Sequence, residues 1–158
     1  MDKESIHNLV AQMTLREKAL LCSGLNNADT KPIERLHIPY LKMHDGPNGL
    51  RREDENAQYS VTGYVSIPAV CFPGGCALAA SWDTSLMFHL GELLAEECHT
   101  ETLPILLGPA INIKRTPLCG RNFEYYSEDP YLAGKMAAAY INGLQSKNIG
   151  AGLKHFAA

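Results

Sequence analysis

A chain of 158 residues, 46% apolar and 20% charged, is long enough for one hydrophobic core, and its first forty residues are too polar to hold a secretory hydrophobic segment. The formal charge of −3 arises from interspersed signs with no basic stripe, which argues against nucleic acid and against anionic membranes as partners. Five cysteines, Cys22, Cys71, Cys76, Cys98 and Cys119, make no CxxC pair and no zinc spacing, and no Asn-x-Ser/Thr sequon occurs, so free thiols in a reducing cytoplasm are the simplest account.

In chain order, Ile6, Leu9, Val10 and Met13 recur at helical spacing. Thr14 with Glu17 three residues on is a capping-box pattern for a second helix ending near Gly24. The apolar run Tyr40 to Met43 reads as a buried strand, stopped by the tight loop His44-Asp45-Gly46-Pro47-Asn48-Gly49. The polar run RREDENAQ after it, from Arg51, reads as a solvated loop. Asp83 is placed to cap a helix from about Thr84 to Thr102, with Leu86, Leu90, Leu93 and Leu94 on its inner face and Pro104 at its end. Ile105 to Leu107 is a second short strand. Asp129 and Pro130 supply the N-cap and first-turn proline of another helix, turning Leu132, Met136, Tyr140 and Leu144 inward and closing at Lys147 to Gly150. Ala151 to Phe156 is a third apolar run.

Strand, helix, strand, helix, strand predicts parallel strands joined by crossover helices, an α/β fold. Polar residues fall at one place in each unit: Asp45 after the first strand, Asn112 and Arg121 after the second, Lys154 and His155 at the end of the third. In a parallel barrel these positions share one rim, where (β/α)8 barrels build active sites. A doubly wound sheet would more often carry a glycine-rich phosphate turn, and neither GxGxxG nor GxxxxGK[ST] occurs. Eight strands take ~250 residues to close, so three strands predict a partial TIM barrel, here preceded by a pair of leading helices.

The segments MHDGPNGLR, CFPGGCALAASWD, LLGPAINIKRTPLCGRNFEYYSEDPYLAG and GLKHFAA resemble, in order and spacing, the N-terminal barrel domain of glycoside hydrolase family 3, in its β-glucosidase branch. MTLREKALLCSG is similar to that family's leading helix. The resemblance implies that residues 1–158 are the N-terminal part of such a domain, ending before the nucleophile strand. It also implies a retaining, exo-acting enzyme that removes terminal non-reducing β-D-glucosyl residues, with a β-glucoside or short gluco-oligosaccharide as its partner. Carried over by position, the sugar subsite comprises Asp45, Arg51, Arg121, Lys154 and His155. A carboxylate accepts two hydroxyl hydrogen bonds, and cationic donors charge-assist others.

Each of these residues also has a plainer reading. Asp45-Gly46-Pro47 suits an Asx-turn. Arg51, beside Arg52 and a run of acids, suits a surface charge. Arg121 has Glu124, Glu128 and Asp129 within reach, His155 suits a satisfied core histidine, and Tyr125 and Tyr126 suit packing, with one ring shaping the site. Lys154 in an apolar strand end requires a partner.

The family's aspartate nucleophile, in an SDW-type motif, and its glutamate acid/base have no counterpart in this sequence, so no residue is assigned as catalytic. No metal or cofactor is expected, because carboxylates perform both steps. KHFAA differs from the KHFPG typical of the N-acetylglucosaminidase branch. The alternatives are a β-xylosidase or broad-specificity exo-glycosidase of the same family, and a non-catalytic sugar-binding module. By itself the chain is expected to turn over no glycoside and to be marginally stable, with an open strand edge that could pair with a second copy as a homo-oligomer.

Overall fold

The computed structural model describes residues 2–26, 28–54 and 65–156. The chain divides into two compact units, Met1–Met43 and His44–Ala158.

In the first unit, α1 (Lys3–Gln12) starts at Asp2, whose carboxylate accepts from the Ser5 amide at 2.8 Å. The predicted capping box forms in full: Thr14 Oγ1 accepts from the Glu17 amide, and the Glu17 carboxylate accepts from the Thr14 amide at 2.8 Å, opening α2 (Leu15–Leu21). Arg35 donates to both Glu17 oxygens, at 3.0 and 2.8 Å, and to the carbonyl of Gln12. Its hydrogen bond, with that of the Thr14 amide, lowers the Glu17 pKa to about 2. The apolar spacing of α1 does not produce a buried face: Ile6 and Val10 are exposed, and only Met13 past its end is buried.

The chain forms a three-stranded sheet in the order β1 (Met43–Asp45), β2 (Ile105–Leu107), β3 (Gly150–Ala151). β2 and β3 run parallel, with Ile105 opposite Gly150 and Leu106 opposite Ala151. The long helices are α4 (Thr84–Thr100) and α5 (Pro130–Ser146). Asp83 and Asp129 cap them, each carboxylate accepting from two amides of its helix's first turn, which satisfies donors a helix start leaves without partners.

Three sequence expectations need correction. β1 begins where the run Tyr40 to Met43 was expected to end, and is half-buried rather than buried; Tyr40 and Leu41 are exposed, so the strand keeps the residues nearest the loop. The third strand is two residues long, not six: past Ala151 only Lys154 rejoins the ladder, through a bridge to Ala110, and Phe156 is wholly exposed. The run after Gly49 is not simply solvated, since Arg51 and Glu53 form backbone bridges and Arg52 pairs with Glu101; Glu55 to Gln58 lie outside the described residues.

The inner face of α4 is also rotated from expectation. Met87, Leu90, Gly91, Leu94, Ala95 and Cys98 are buried, spaced three and four apart, while Leu86 and Leu93 are exposed. Glycine sets this rotation. A Cβ at Gly143 of α5 would stand 2.1 Å from the Phe88 carbonyl oxygen, and one at Gly91 would stand 2.3 Å from that of Tyr140. The helices therefore meet backbone to backbone, and the small-residue stripe must face inward. On α5, Met136, Tyr140 and Leu144 are fully buried as expected, and Leu132 is half-buried against the same core. A short helix, α3 (Gly75–Ala80), lies within the CFPGGCALAASWD segment and has no side-chain cap; it packs so closely that a Cβ at Gly75 would come 2.4 Å from the Glu124 carbonyl oxygen.

Candidate functional site

The loop after β1 is fixed by backbone geometry. Gly46 and Gly49 have φ of 144° and 138°, a region that favours glycine, and a Cβ at either would come 2.3 Å from a carbonyl oxygen. The amide of Arg51 donates to the Asp45 carbonyl at 2.8 Å and closes the loop. From α5 the hydroxyl of buried Tyr140 donates to the Pro47 carbonyl at 3.3 Å. Burial moves that hydroxyl's pKa well above the usual phenol value, keeping it a donor. A helix chosen for core packing thus also anchors the loop that starts at Asp45.

The other candidates converge from the later strand ends. The Lys154 ammonium forms an ion pair with Asp45 Oδ1, which supplies the partner a mostly buried lysine needs. The Lys154 carbonyl accepts from the Ile111 amide at 2.8 Å, so the ladder between the segments after β2 and β3 carries the lysine into position. Its peptide bond to His155 is cis.

Arg121 precedes a 3-10 turn, Asn122–Glu124, which brings its Nε onto Glu124 Oε1. Glu124 is the sole charged residue in the buried set among the described residues, at 8% exposure, so its ion pair with Arg121 is what makes its burial tolerable. That hydrogen bond in turn raises the Arg121 pKa. A second nitrogen of the same guanidinium, Nη2, lies 3.0 Å from His155 Nε2. The opposite edge of the imidazole faces Asn112, whose Oδ1 is 2.8 Å from the His155 amide and 3.2 Å from Nδ1. Buried Tyr125 stands edge-on to the ring, with centroids 5.9 Å apart. Desolvation, then the positive charges of Arg121 and Lys154, hold the His155 pKa below the ordinary imidazole value.

Asp45, Arg51 and Arg121 border one depression of about 340 Å³, together with Phe123 and Glu124. A larger cavity of about 500 Å³, which Asn112, Tyr125 and His155 help to line, has no carboxylate in its wall. Chemistry rather than size decides between them, because polyol recognition needs acceptors and donors on one surface. The depression has two carboxylates, Asp45 and Glu124, and two guanidiniums, Arg51 and Arg121.

All five predicted residues therefore lie on the strand-end loops of one unit. Asp45 pairs directly with Lys154, and Arg121 with His155; Arg51 joins them through its backbone bond to Asp45 and its place on the wall. Glu124 and Asn112 were not among the predicted site residues. Glu124 stands three residues after Arg121, the spacing of a local ion pair, whereas nothing local marks Asn112 as the acceptor for a ring 43 residues away. Among the described residues no group of three or more His, Cys, Asp and Glu side chains is arranged to hold a metal ion, and no helix is long and apolar enough to cross a membrane.

The family model for the glycosyl hydrolase family 3 N-terminal domain matches residues 57–158. The chain belongs to that family. It is 56% identical over 153 residues to thermostable beta-glucosidase B of Acetivibrio thermocellus, covering 97% of this chain and 20% of the relative. It is 46% identical over 155 residues to an exo-alpha-(1->6)-L-arabinopyranosidase of Bifidobacterium longum, covering 98% and 20%. The structure of beta-glucosidase 3B from Thermotoga neapolitana in complex with alpha-D-glucose superimposes with a TM-score of 0.80 at 37% identity, over 98% of this chain and 23% of that one. The fold is accordingly a partial (β/α)8 barrel, the N-terminal portion with its leading helices. The chain spans about a fifth of the length of the curated relatives it matches.

Proposed function

We propose that this chain forms the first strands of the barrel of a retaining exo-β-glucosidase and supplies much of its subsite for the terminal non-reducing glucose. The observation that carries this reading is the Asp45–Lys154 ion pair on the strand-end rim, with Arg121 and Arg51 bordering the same depression. Asp45 is half exposed, so its carboxylate keeps lone pairs for two sugar hydroxyls while Lys154 holds it in place. Arg121 and Arg51 supply donors around the ring, and His155 stands behind them against Arg121. Contacts of this kind orient the sugar and strengthen as positive charge develops at the anomeric carbon. The nucleophilic aspartate and the glutamate acid/base come, on this reading, from parts of the complete enzyme other than this stretch, which alone turns over no glycoside. The five free thiols support a reducing, cytoplasmic setting.

A second reading, a broader exo-glycosidase accepting pentopyranosides, is favoured by one observation: a relative 46% identical to this chain is named an arabinopyranosidase. The two part at the sugar's C6 hydroxymethyl. The test is kcat/KM of the complete enzyme on nitrophenyl β-D-glucoside, β-D-xyloside and α-L-arabinopyranoside. A preference for glucoside by about tenfold or more, the worth of one well-made hydrogen bond, is expected; equal or better use of a pentoside would move the assignment to the second reading.

A further inference from the structure

We propose that Asn112 is a positioning residue of the sugar site: its amide oxygen fixes His155 in the tautomer protonated on Nδ1, leaving Nε2 to accept from Arg121 and so orient that guanidinium. The inference rests on the sugar-site reading above for its functional consequence, and on hydrogen-bond chemistry alone for the tautomer.

A backbone amide can only donate, so the Asn112 atom 2.8 Å from the His155 amide is the carbonyl oxygen. That same oxygen lies 3.2 Å from Nδ1 and can only accept, which puts the ring hydrogen on Nδ1. At the other edge, Arg121 Nη2 has no acceptor capacity and lies 3.0 Å from Nε2, which must therefore present a lone pair. The two edges independently require the same neutral tautomer. The Tyr125 hydroxyl, 3.4 Å from Nδ1, is a longer secondary contact.

The consequence reaches the pocket through Arg121. Its Nε is held by Glu124 and one Nη2 hydrogen by His155, so the plane of the guanidinium is gripped at two nitrogens. Three of the five N–H bonds of an arginine then remain for a ligand. Protonating His155 would turn Nε2 into a donor aimed at another donor and release one grip. Around the ring, Arg121 and Lys154 oppose protonation, Glu124 and Asp45 favour it, and burial opposes it most. Because the folded-state pKa is lowered, the contact is complete above the ordinary imidazole range and is lost as pH falls through the lowered value.

A carboxylate in place of the amide would keep the acceptor and reverse this balance. In the complete enzyme, Asn112→Asp should move the acidic limb of kcat/KM against pH, with nitrophenyl β-glucoside as substrate, upward by about one to three units. Asn112→Leu should lower kcat/KM on the order of tenfold on the plateau, for the lost hydrogen bond. A merely structural asparagine would give no upward limb shift in the aspartate variant, and an unmoved or downward limb overturns the proposal. Should the variants fail to fold, the ring-nitrogen NMR shifts of His155 in the wild-type enzyme decide: a hydrogen on Nδ1 near neutral pH is expected, and one on Nε2 overturns it. Absence of glycosidase turnover in the wild type would sink the sugar reading, while those ring-nitrogen shifts would still decide the tautomer.

Discussion

Where α4 crosses α5, two helices touch backbone to backbone over Gly91 and Gly143 with no charge at the contact; at the strand-end rim, Asp45, Lys154, Arg121 and His155 hold one another in partly exposed positions. The crossing is specified by absence of volume, so almost any added atom damages it. The rim is specified by donor and acceptor type, so it tolerates changes of volume better than changes of chemistry. One region fixes where the other stands, since Tyr140 on the crossing helix holds the Pro47 carbonyl of the Asp45 loop.

The contrast is tested most severely at Gly143. Alanine gains about 1 kcal/mol in helix propensity over glycine, yet its Cβ would meet the Phe88 carbonyl at 2.1 Å, and backbone cannot swing aside as a side chain can. Gly143→Ala should therefore destabilise by about 3 kcal/mol in urea unfolding of the complete protein. Gly134 on the same helix has nothing within 4 Å of the equivalent position, and Gly134→Ala should raise the midpoint instead. Equal effects at the two glycines would mean that the close crossing is not what constrains α5.

At the rim the expected change is in activity rather than stability. Arg121→Lys keeps the charge and discards the planar fork that reaches Glu124 and His155 together. The loss should be about tenfold in kcat/KM, or ~1.4 kcal/mol, with the melting midpoint nearly unmoved because the side chain is largely exposed. Full activity with lysine would reduce Arg121 to a counter-ion of Glu124.

Much of this was legible along the chain because its signals are local. Ile105 to Leu107, bounded by Pro104 and Gly108, could be little but a short strand, and Asp129-Pro130 announces α5 at the residue where it starts. The positions of the leucines do not give the face of α4, because the close approach at Gly91 sets it, and that approach depends on a glycine 52 positions later. α3, six residues without a side-chain cap, leaves almost no periodic signal in the sequence. Asp45, Arg121, Lys154 and His155 were legible as a set through alternation of strand and loop. Their pairing was not: whether Arg121 would meet Glu124, Glu128 or Asp129 is undecided by spacing, and its second contact, to His155, exists only once β2 and β3 run side by side.

The central claim is that the Asp45 carboxylate is a sugar acceptor held by Lys154. Asp45→Ala in the complete enzyme measures it most directly, by kcat/KM on nitrophenyl β-D-glucoside with circular dichroism to establish that the variant is folded. Removing the acceptor leaves Lys154 without its partner and the sugar hydroxyls without theirs, so the predicted loss is on the order of 10²-fold or more. A folded variant that turns over glucoside within about twofold of wild type, inside the few tenths of a kcal/mol that an ordinary surface change produces, would contradict the account.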